Sequence, residues 1–398
     1  MGKIIKLFKS WFVDTVCFVL RHTTKIHDNR IVFHSRPDFS DNAKALYKYM
    51  MANGYDKKYD IYFAVEDLAR CEKQFAGEAR FIQFNDKSHR RLNWSAARII
   101  ISARYLLYTH SAPFPLTTAD SKPGQRHINL WHGSGYKGTH ANPNKYTTRF
   151  DMVFVPGKLF VEPMMKFWGI TKSDPIEITG YPRYDWMLHP SDAAAKAAKH
   201  FQSEDANRLV VWMPTFRNDK HNVLNDTECI KQFPIIATQE QWNEVDELCK
   251  KCGVTLLVKL HQLQRDYDIN FDSMSNVKLL TNEQLDEQQV NLYEFLAVTH
   301  GLITDYSSVA IDYLVVDKPI GFTLDDFEMY NQTRGFVFDD PLEYMPGHHM
   351  YNMEDLKQFL IDVSNGTDPH KADRERVRKV AINPSSCYCQ TVLDTIGL

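Results

Sequence analysis

The feature that most constrains this chain is a doubled rhythm. Two consecutive series of short apolar runs occur, each run separated from the next by helical periodicity. The first series opens after Arg30, with apolar residues 31–34 and then helical spacing over 42–51 at Ala45, Leu46, Tyr49 and Met50. It continues through strand-like runs at 60–65, 99–102, 105–108, 127–131, 152–155 and 176–179. The second series has strands at 208–212, 255–260, 277–280, 301–304 and 319–322, with helices over 240–251, 291–298 and 308–316. Short apolar strands joined through helices predict βαβ units and parallel sheets, and two such halves predict two Rossmann-like domains. The expected organisation is a first domain over 26–190, an Ala/Lys connector helix over 191–204 and a second domain over 205–375. Residues 355–398 read as two helices broken at Asn383-Pro384, with 376–398 set apart as a C-terminal helix.

Composition narrows the class further. The chain has 398 residues, enough for two or three domains. Hydrophobic residues make up 43% and charged residues 24%, which excludes disordered and collagen-like chains. Lys and Arg total 47 against 50 Asp and Glu, a net charge of −3, so no basic field argues for nucleic acid. The seven cysteines are odd in number and suit reduced thiols. Cys249 and Cys252 form one CxxC within a helical pattern, and Cys387 and Cys389 a CxC. A zinc site wants four ligands from two well-spaced pairs, so no protein-bound metal is expected.

The N-terminus carries a second message. Residues 3–20 are largely apolar, but Lys9, Ser10 and Asp14 interrupt them, leaving no run of the ~18 residues a spanning helix needs. No small-residue cleavage site follows, which disfavours a signal peptide. Lys3, Lys6, Ser10 and Asp14 share one helical face, and Ile4, Leu7, Phe8, Trp11 and Phe12 cover the other. Over residues 1–30, six cations oppose Asp14 and Asp28, giving 6 − 2 = +4. The expectation is an amphipathic helix over 1–25 lying on an anionic membrane surface; the alternative is packing on its own domain.

In open α/β sheets ligands sit beyond the carboxyl ends of strands, so polar residues there are the candidates. Residues 131–138 read WHGSGYKG directly after a strand. Gly133 and its neighbours let backbone N–H groups approach an anion, Ser134 and Lys137 add a hydroxyl and a charge, and His132 can exchange a proton. Thr215 and Arg217 follow the strand ending at Met213-Pro214, a hydroxyl and a guanidinium suited to phosphate. Residues 258–261 deliver His261 at another strand end. Residues 303–314 run from strand through Thr304, Asp305, Ser307 and Ser308 into a helix, with either serine as N-cap and free N–H groups as an anion seat. Downstream, Asp325 or Asp326, Tyr330 and Arg334 supply a further carboxylate and cation.

Taken in order, these motifs resemble the CDP-glycerol glycerophosphotransferase family, the teichoic-acid and capsule polyol-phosphate transferases. The resemblance spans residues 30–375 and includes 31–46 (IVFHSRPDFSDNAKAL), WHG…K, GYPRYD at 180–185, PTFR, KLH, TDYSSVAIDYLVVDKPI and RGF. Two departures stand out: WHGSGYK where the family usually has WHGTPLK, and Gln262 where it usually has Pro after the histidine. The resemblance implies a GT-B-like fold, two Rossmann-like domains flanking a cleft. It implies transfer of glycerol or ribitol phosphate from a CDP-linked donor to a hydroxyl on a lipid-linked or polymeric glycan, with CMP released. It makes His132 the general base and His261 a second essential histidine. Thr215, Arg217, Thr304, Asp305, Ser307, Ser308 and Arg334 would contact the donor, and Gly133, Ser134 and Lys137 the acceptor or a phosphate. No protein-bound cofactor is implied, although a divalent cation could ride on the diphosphate. The implied location is cytoplasmic, peripheral on the inner face of the cell membrane. Two alternatives stand: a GT-B glycosyltransferase using a nucleotide sugar, and a non-catalytic membrane-associated scaffold.

Overall fold

The computed structural model describes residues 15–83, 93–113, 122–138, 150–215, 233–260 and 269–398. Two parallel sheets carry the architecture. The first has seven strands in the order β3-β2-β1-β4-β5-β6-β7. These are β1 His27–His34, β2 Asp60–Ala64, β3 Phe81–Ile82, β4 Ala103–Tyr108, β5 Arg126–Asn129, β6 Met152–Val155 and β7 Ile176–Ile178. The second has six strands in the order β10-β9-β8-β11-β12-β13. They are β8 Arg208–Trp212, β9 Val254–Val258, β10 Val277–Leu279, β11 Gly301–Thr304, β12 Ile320–Thr323 and β13 His348–Met350. Every strand pair is parallel. Each sheet starts in the middle, winds to one edge and returns to the other, which is the doubly wound Rossmann order.

The sequence forms these strands because its apolar runs are continuous rather than alternating. All five residues of β9 and all four of β11 are buried, as expected of strands covered on both faces by helices. The helices announce their ends. Thr238 with Gln241 makes a capping box for helix Gln239–Cys252, and Gly253 closes it in the left-handed region at φ 67°.

Two expectations need correction. Residues 99–102 are not a strand but the end of helix Trp94–Ile101: Asn93 caps it, and Ala96, Ala97, Ile100 and Ile101 turn to the core at helical spacing. The C-terminal segment holds three helices rather than two, because Gly366 takes φ 70° and stops Met353–Asn365 before Lys371–Ala381 and Tyr388–Ile396. The expected connector region carries the Ala/Lys helix Asp192–Phe201. Ala194, Ala197 and Phe201 are buried, and the Phe201 ring meets Phe295 edge-on at 5.6 Å.

The last helix returns to the first domain. Cys389, Val392, Leu393 and Ile396 enter the core built on Phe33, Leu46 and Phe63. Asp185 fixes its start, accepting the N–H groups of Tyr388 and Cys389 at 2.6 and 2.8 Å. At the other end of the chain, residues 15–23 are helical; Cys17 is buried and Leu20 packs beside it, while Phe18 and Val19 are 57% and 51% exposed. The first half of the expected amphipathic helix lies outside the described residues. Among the described residues no helix is long and apolar enough to cross a membrane.

Candidate active site

Strand register decides which loops meet. His34 pairs with Tyr108, and Tyr108 with Asn129, so β1, β4 and β5 end level and their following residues emerge side by side. In the second sheet Trp212 pairs with both Val258 and Ile303, which brings out the loops after β8, β9 and β11 together. These carboxyl ends form the switch point of each sheet, where an α/β fold holds its ligand.

In the first domain this register builds a histidine cluster. The His132 ring stacks on His110 at 4.0 Å and 13°, and His34 sits buried at the end of β1 with Nδ1 2.9 Å from the Ser111 carbonyl. Trp131 takes φ 56°, an uncommon left-handed conformation, and its N–H donates to the Asn129 side chain at 2.9 Å. Asn42 holds the turn from the other side, donating to the carbonyls of Leu130 and Trp131 at 3.2 and 3.0 Å. His132 Nδ1 lies 3.3 Å from the Thr109 carbonyl, which can only accept. Nδ1 therefore carries the proton and Nε2 keeps its lone pair.

Burial pushes the His132 pKa down to about 4, and the Arg183 cation adds to the fall while the Thr109 carbonyl opposes it. His110 is also pushed to about 4, by burial and then by its neighbour His132. The ordinary imidazole value near 6.5 that suited a base is thus displaced; at neutral pH both rings are uncharged.

The second domain contributes the turn 304–308. Asp305 is fully buried and accepts the Thr215 N–H at 2.7 Å and its hydroxyl, and the Thr304 hydroxyl donates to the Met213 carbonyl at 2.8 Å. Thr304 and Asp305, expected to touch the donor, thus hold the Thr215 loop from beneath. Of the two expected caps, Ser308 has helical angles (φ −61°, ψ −19°) and its side chain caps nothing in helix Val309–Tyr313.

The hydroxyl of Ser308 instead faces the first domain. A Cβ placed on Gly133 would stand 2.8 Å from Ser308 Oγ, and one on Gly135 would stand 2.9 Å from Ser308 Cα. Only glycine permits this approach. The contact between the domains continues: Gly138 N–H donates to the Gly335 carbonyl and Val337 N–H to the Tyr136 carbonyl, at 2.8 and 2.9 Å, with Lys137 bridged to Phe336. The structure therefore brings Gly133, Lys137, Ser307, Ser308 and the Arg334–Gly335 turn into one region with His132. Ser134 is buried with its hydroxyl 2.7 Å from that of Tyr181, so it supports the wall. Arg334 is half-buried, and burial lowers its pKa. His261 and Arg217 lie outside the described residues, although Lys259, just before His261, is buried at the end of β9 and donates to Asn282 at 2.6 Å.

Several site residues escaped the sequence reading. His34 ends β1 and His110 follows β4, and only register unites them with His132. Arg183, within the quoted GYPRYD block but given no role, is completely buried between the domains beside Asp41 and Asp312. Among the described residues no three His, Cys, Asp or Glu side chains are grouped to hold a metal.

Residues 16–385 match the family model described as CDP-glycerol:poly(glycerophosphate) glycerophosphotransferase. The chain is 26% identical over 340 residues to the teichoic acid glycerol-phosphate primase of Bacillus subtilis, covering 80% of each chain. It is 24% identical to the teichoic acid poly(glycerol phosphate) polymerase of Staphylococcus epidermidis over 80% of this chain but 43% of that one. With the Staphylococcus aureus ribitol-phosphate polymerase TarL the identity is 23%, over 89% of this chain and 59% of the relative. The chain thus spans roughly half the length of the polymerases it matches. A structure of the wall teichoic acid polymerase TagF superposes with TM-score 0.71 at 19% identity, covering 99% and 97% of the two chains, which establishes the shared fold.

Proposed function

This chain belongs to the CDP-glycerol:poly(glycerophosphate) glycerophosphotransferase family, and on that premise we propose that it moves glycerol phosphate or ribitol phosphate from a CDP-linked donor to a hydroxyl acceptor. The observation that carries the reading is the meeting of the His132–Gly135 loop with the Ser307–Ser308 turn across the cleft. One side offers a neutral histidine, the other hydroxyls and backbone N–H groups at a strand end. Relatives include glycerol-phosphate and ribitol-phosphate enzymes, and a TagF structure is described as soaked with CDPG, in keeping with a CDP-polyol donor.

The acceptor oxygen attacks the phosphorus next to the polyol. Its bond to the bridging oxygen of the diphosphate breaks, CMP leaves with the electron pair, and the acceptor proton passes to His132 Nε2. Thr109 fixes the tautomer that makes Nε2 the acceptor. A diphosphate arriving nearby raises the low histidine pKa, strengthening the base as the donor binds. Ser307, Ser308, Thr215, Arg217 and Arg334 receive the diphosphate, with His261 steadying the leaving group; Gly133 and Lys137 face the acceptor side. Any divalent cation travels on the diphosphate. The acceptor is a lipid-linked or polymeric glycan at the cytoplasmic membrane surface, reached through the N-terminal helix, whose exposed Phe18 and Val19 support this placement. The glycosyltransferase and scaffold alternatives are not favoured by the family match.

Chromatography of nucleotide products tests the reading. CDP-glycerol or CDP-ribitol, with an acceptor, should release CMP. Turnover of nucleotide sugars alone would refute it.

A further inference from the structure

We propose that Arg183 is a positioning residue that couples docking of the second domain to the placement of the His132 imidazole. Arg183 follows β7 in the first domain, and its side chain is completely buried. One terminal nitrogen, Nη1, donates to the His132 carbonyl at 2.8 Å and to Asp41. The other, Nη2, donates to both carboxylate oxygens of Asp312 at 2.9 and 2.8 Å. Asp312 stands in helix Val309–Tyr313, immediately after the Ser307–Ser308 turn. A single guanidinium thus joins the His132 loop to the helix that follows the Ser307–Ser308 turn.

The surroundings leave the guanidinium little freedom. Tyr181 and Tyr293 flank it at 5.1 and 4.7 Å, one ring from each domain. The Arg183 N–H donates to Asn42 at 3.3 Å, and the same Asn42 holds the carbonyls of Leu130 and Trp131. Main chain and side chain of one residue therefore fix the 130–133 turn from two directions. Only the rigid fork of arginine meets a carbonyl and two carboxylates at once; lysine has a single nitrogen to offer. A plain structural ion pair would need neither the His132 carbonyl nor its place between the two catalytic loops.

Charge reinforces geometry. His132 is faced by the Thr109 carbonyl, by His110 and by Arg183, and His110 in turn by Asp41, Arg36 and His34. Arg183 opposes protonation of His132, while Asp312 and Asp41 keep the cation itself buried and charged.

The inference rests on the proposed transfer, so its test uses both an activity and a substrate-free readout. Arg183→Lys keeps the charge but loses the fork. It should lower kcat at least ~10-fold with KM for the CDP-polyol within about twofold, and lower Tm; adding Asp312→Glu restores a lysine–carboxylate pair and recovers Tm but not kcat. Recovery of kcat together with Tm would reduce Arg183 to a structural role. Without substrate, nitrogen NMR of the histidine side chains should show His132 protonated on Nδ1 in the wild type and mixed between tautomers in Arg183→Lys. An unchanged tautomer in that variant overturns the proposal, even if the wild type turns over no CDP-polyol and the functional reading itself has failed.

Discussion

Gly135→Ala isolates the contact on which the two half-sites depend. Unlike Gly133, at φ 146°, Gly135 does not need the left-handed region, so an added methyl acts through space alone. That methyl would stand 2.9 Å from Ser308 Cα and 3.0 Å from its backbone nitrogen, where ordinary contact begins at 3.4 Å. The neighbours are backbone atoms that cannot rotate aside, so the loop and the turn must part by 3.4 − 2.9, about 0.5 Å. Overpacking of this kind costs about 1–3 kcal/mol, a fall in Tm of a few degrees for a chain this long. A misplacement near 1 Å at reacting groups can cost ~10²-fold, so half of that should lower kcat/KM roughly tenfold. Gly77→Ala is the control: it has φ 75° but nothing within 4 Å of an added methyl. Thermal unfolding and steady-state CMP release are measured on both variants. The reasoning is refuted if Gly135→Ala keeps wild-type kcat/KM, or if Gly77→Ala loses as much.

Three further outcomes are expected. Replacing Ser307 and Ser308 by Ala should weaken CDP binding, each lost bond to a charged group being worth about 1.5–3 kcal/mol, or roughly ten- to hundredfold; calorimetry showing unchanged affinity removes them from the donor site. Because burial holds the folded-state pKa of His132 and His110 near 4 and the unfolded value is about 6.5, the unfolded chain binds more protons between these limits. Stability is therefore full above about pH 6.5 and falls as pH drops towards 4, and Tm measured across that window should decline less steeply in His110→Gln. Full-length protein should float with anionic liposomes at low salt and be released at high salt, whereas a variant lacking residues 1–20 should not float; equal flotation of both would reject adsorption through the N-terminal helix.

The fold was legible where burial makes the pattern one-dimensional. Runs such as residues 254–258 are covered on both faces, so their apolar continuity survives in the sequence. Residues 99–102 misled because three β-branched isoleucines resemble a strand, while the deciding signals, the Asn93 cap and the buried Ala96–Ala97 pair, lie just upstream. The site was half-legible for a related reason. His132 and Ser308 each stand in a local motif at a strand end. Arg183 also lies in such a motif, the GYPRYD block after β7, but its partners Asp41 and Asp312 lie 142 and 129 residues away, and only the meeting of the two domains brings them together. Position before a helix made either Ser307 or Ser308 a candidate N-cap as well as a donor contact. The close approach of Gly133 and Gly135, a property of the assembled cleft, gives the Ser308 hydroxyl a different neighbour.

In the proposed transfer a neutral His132, tautomer-fixed by Thr109, removes the acceptor proton. The most direct test of that step is a single comparison of His132→Ala with wild type, reading CMP release from the CDP-polyol and CDP affinity on the same preparations. Turnover should fall at least ~10²-fold while CDP affinity stays within a few-fold. Turnover within a few-fold of wild type, at intact CDP affinity, would contradict it.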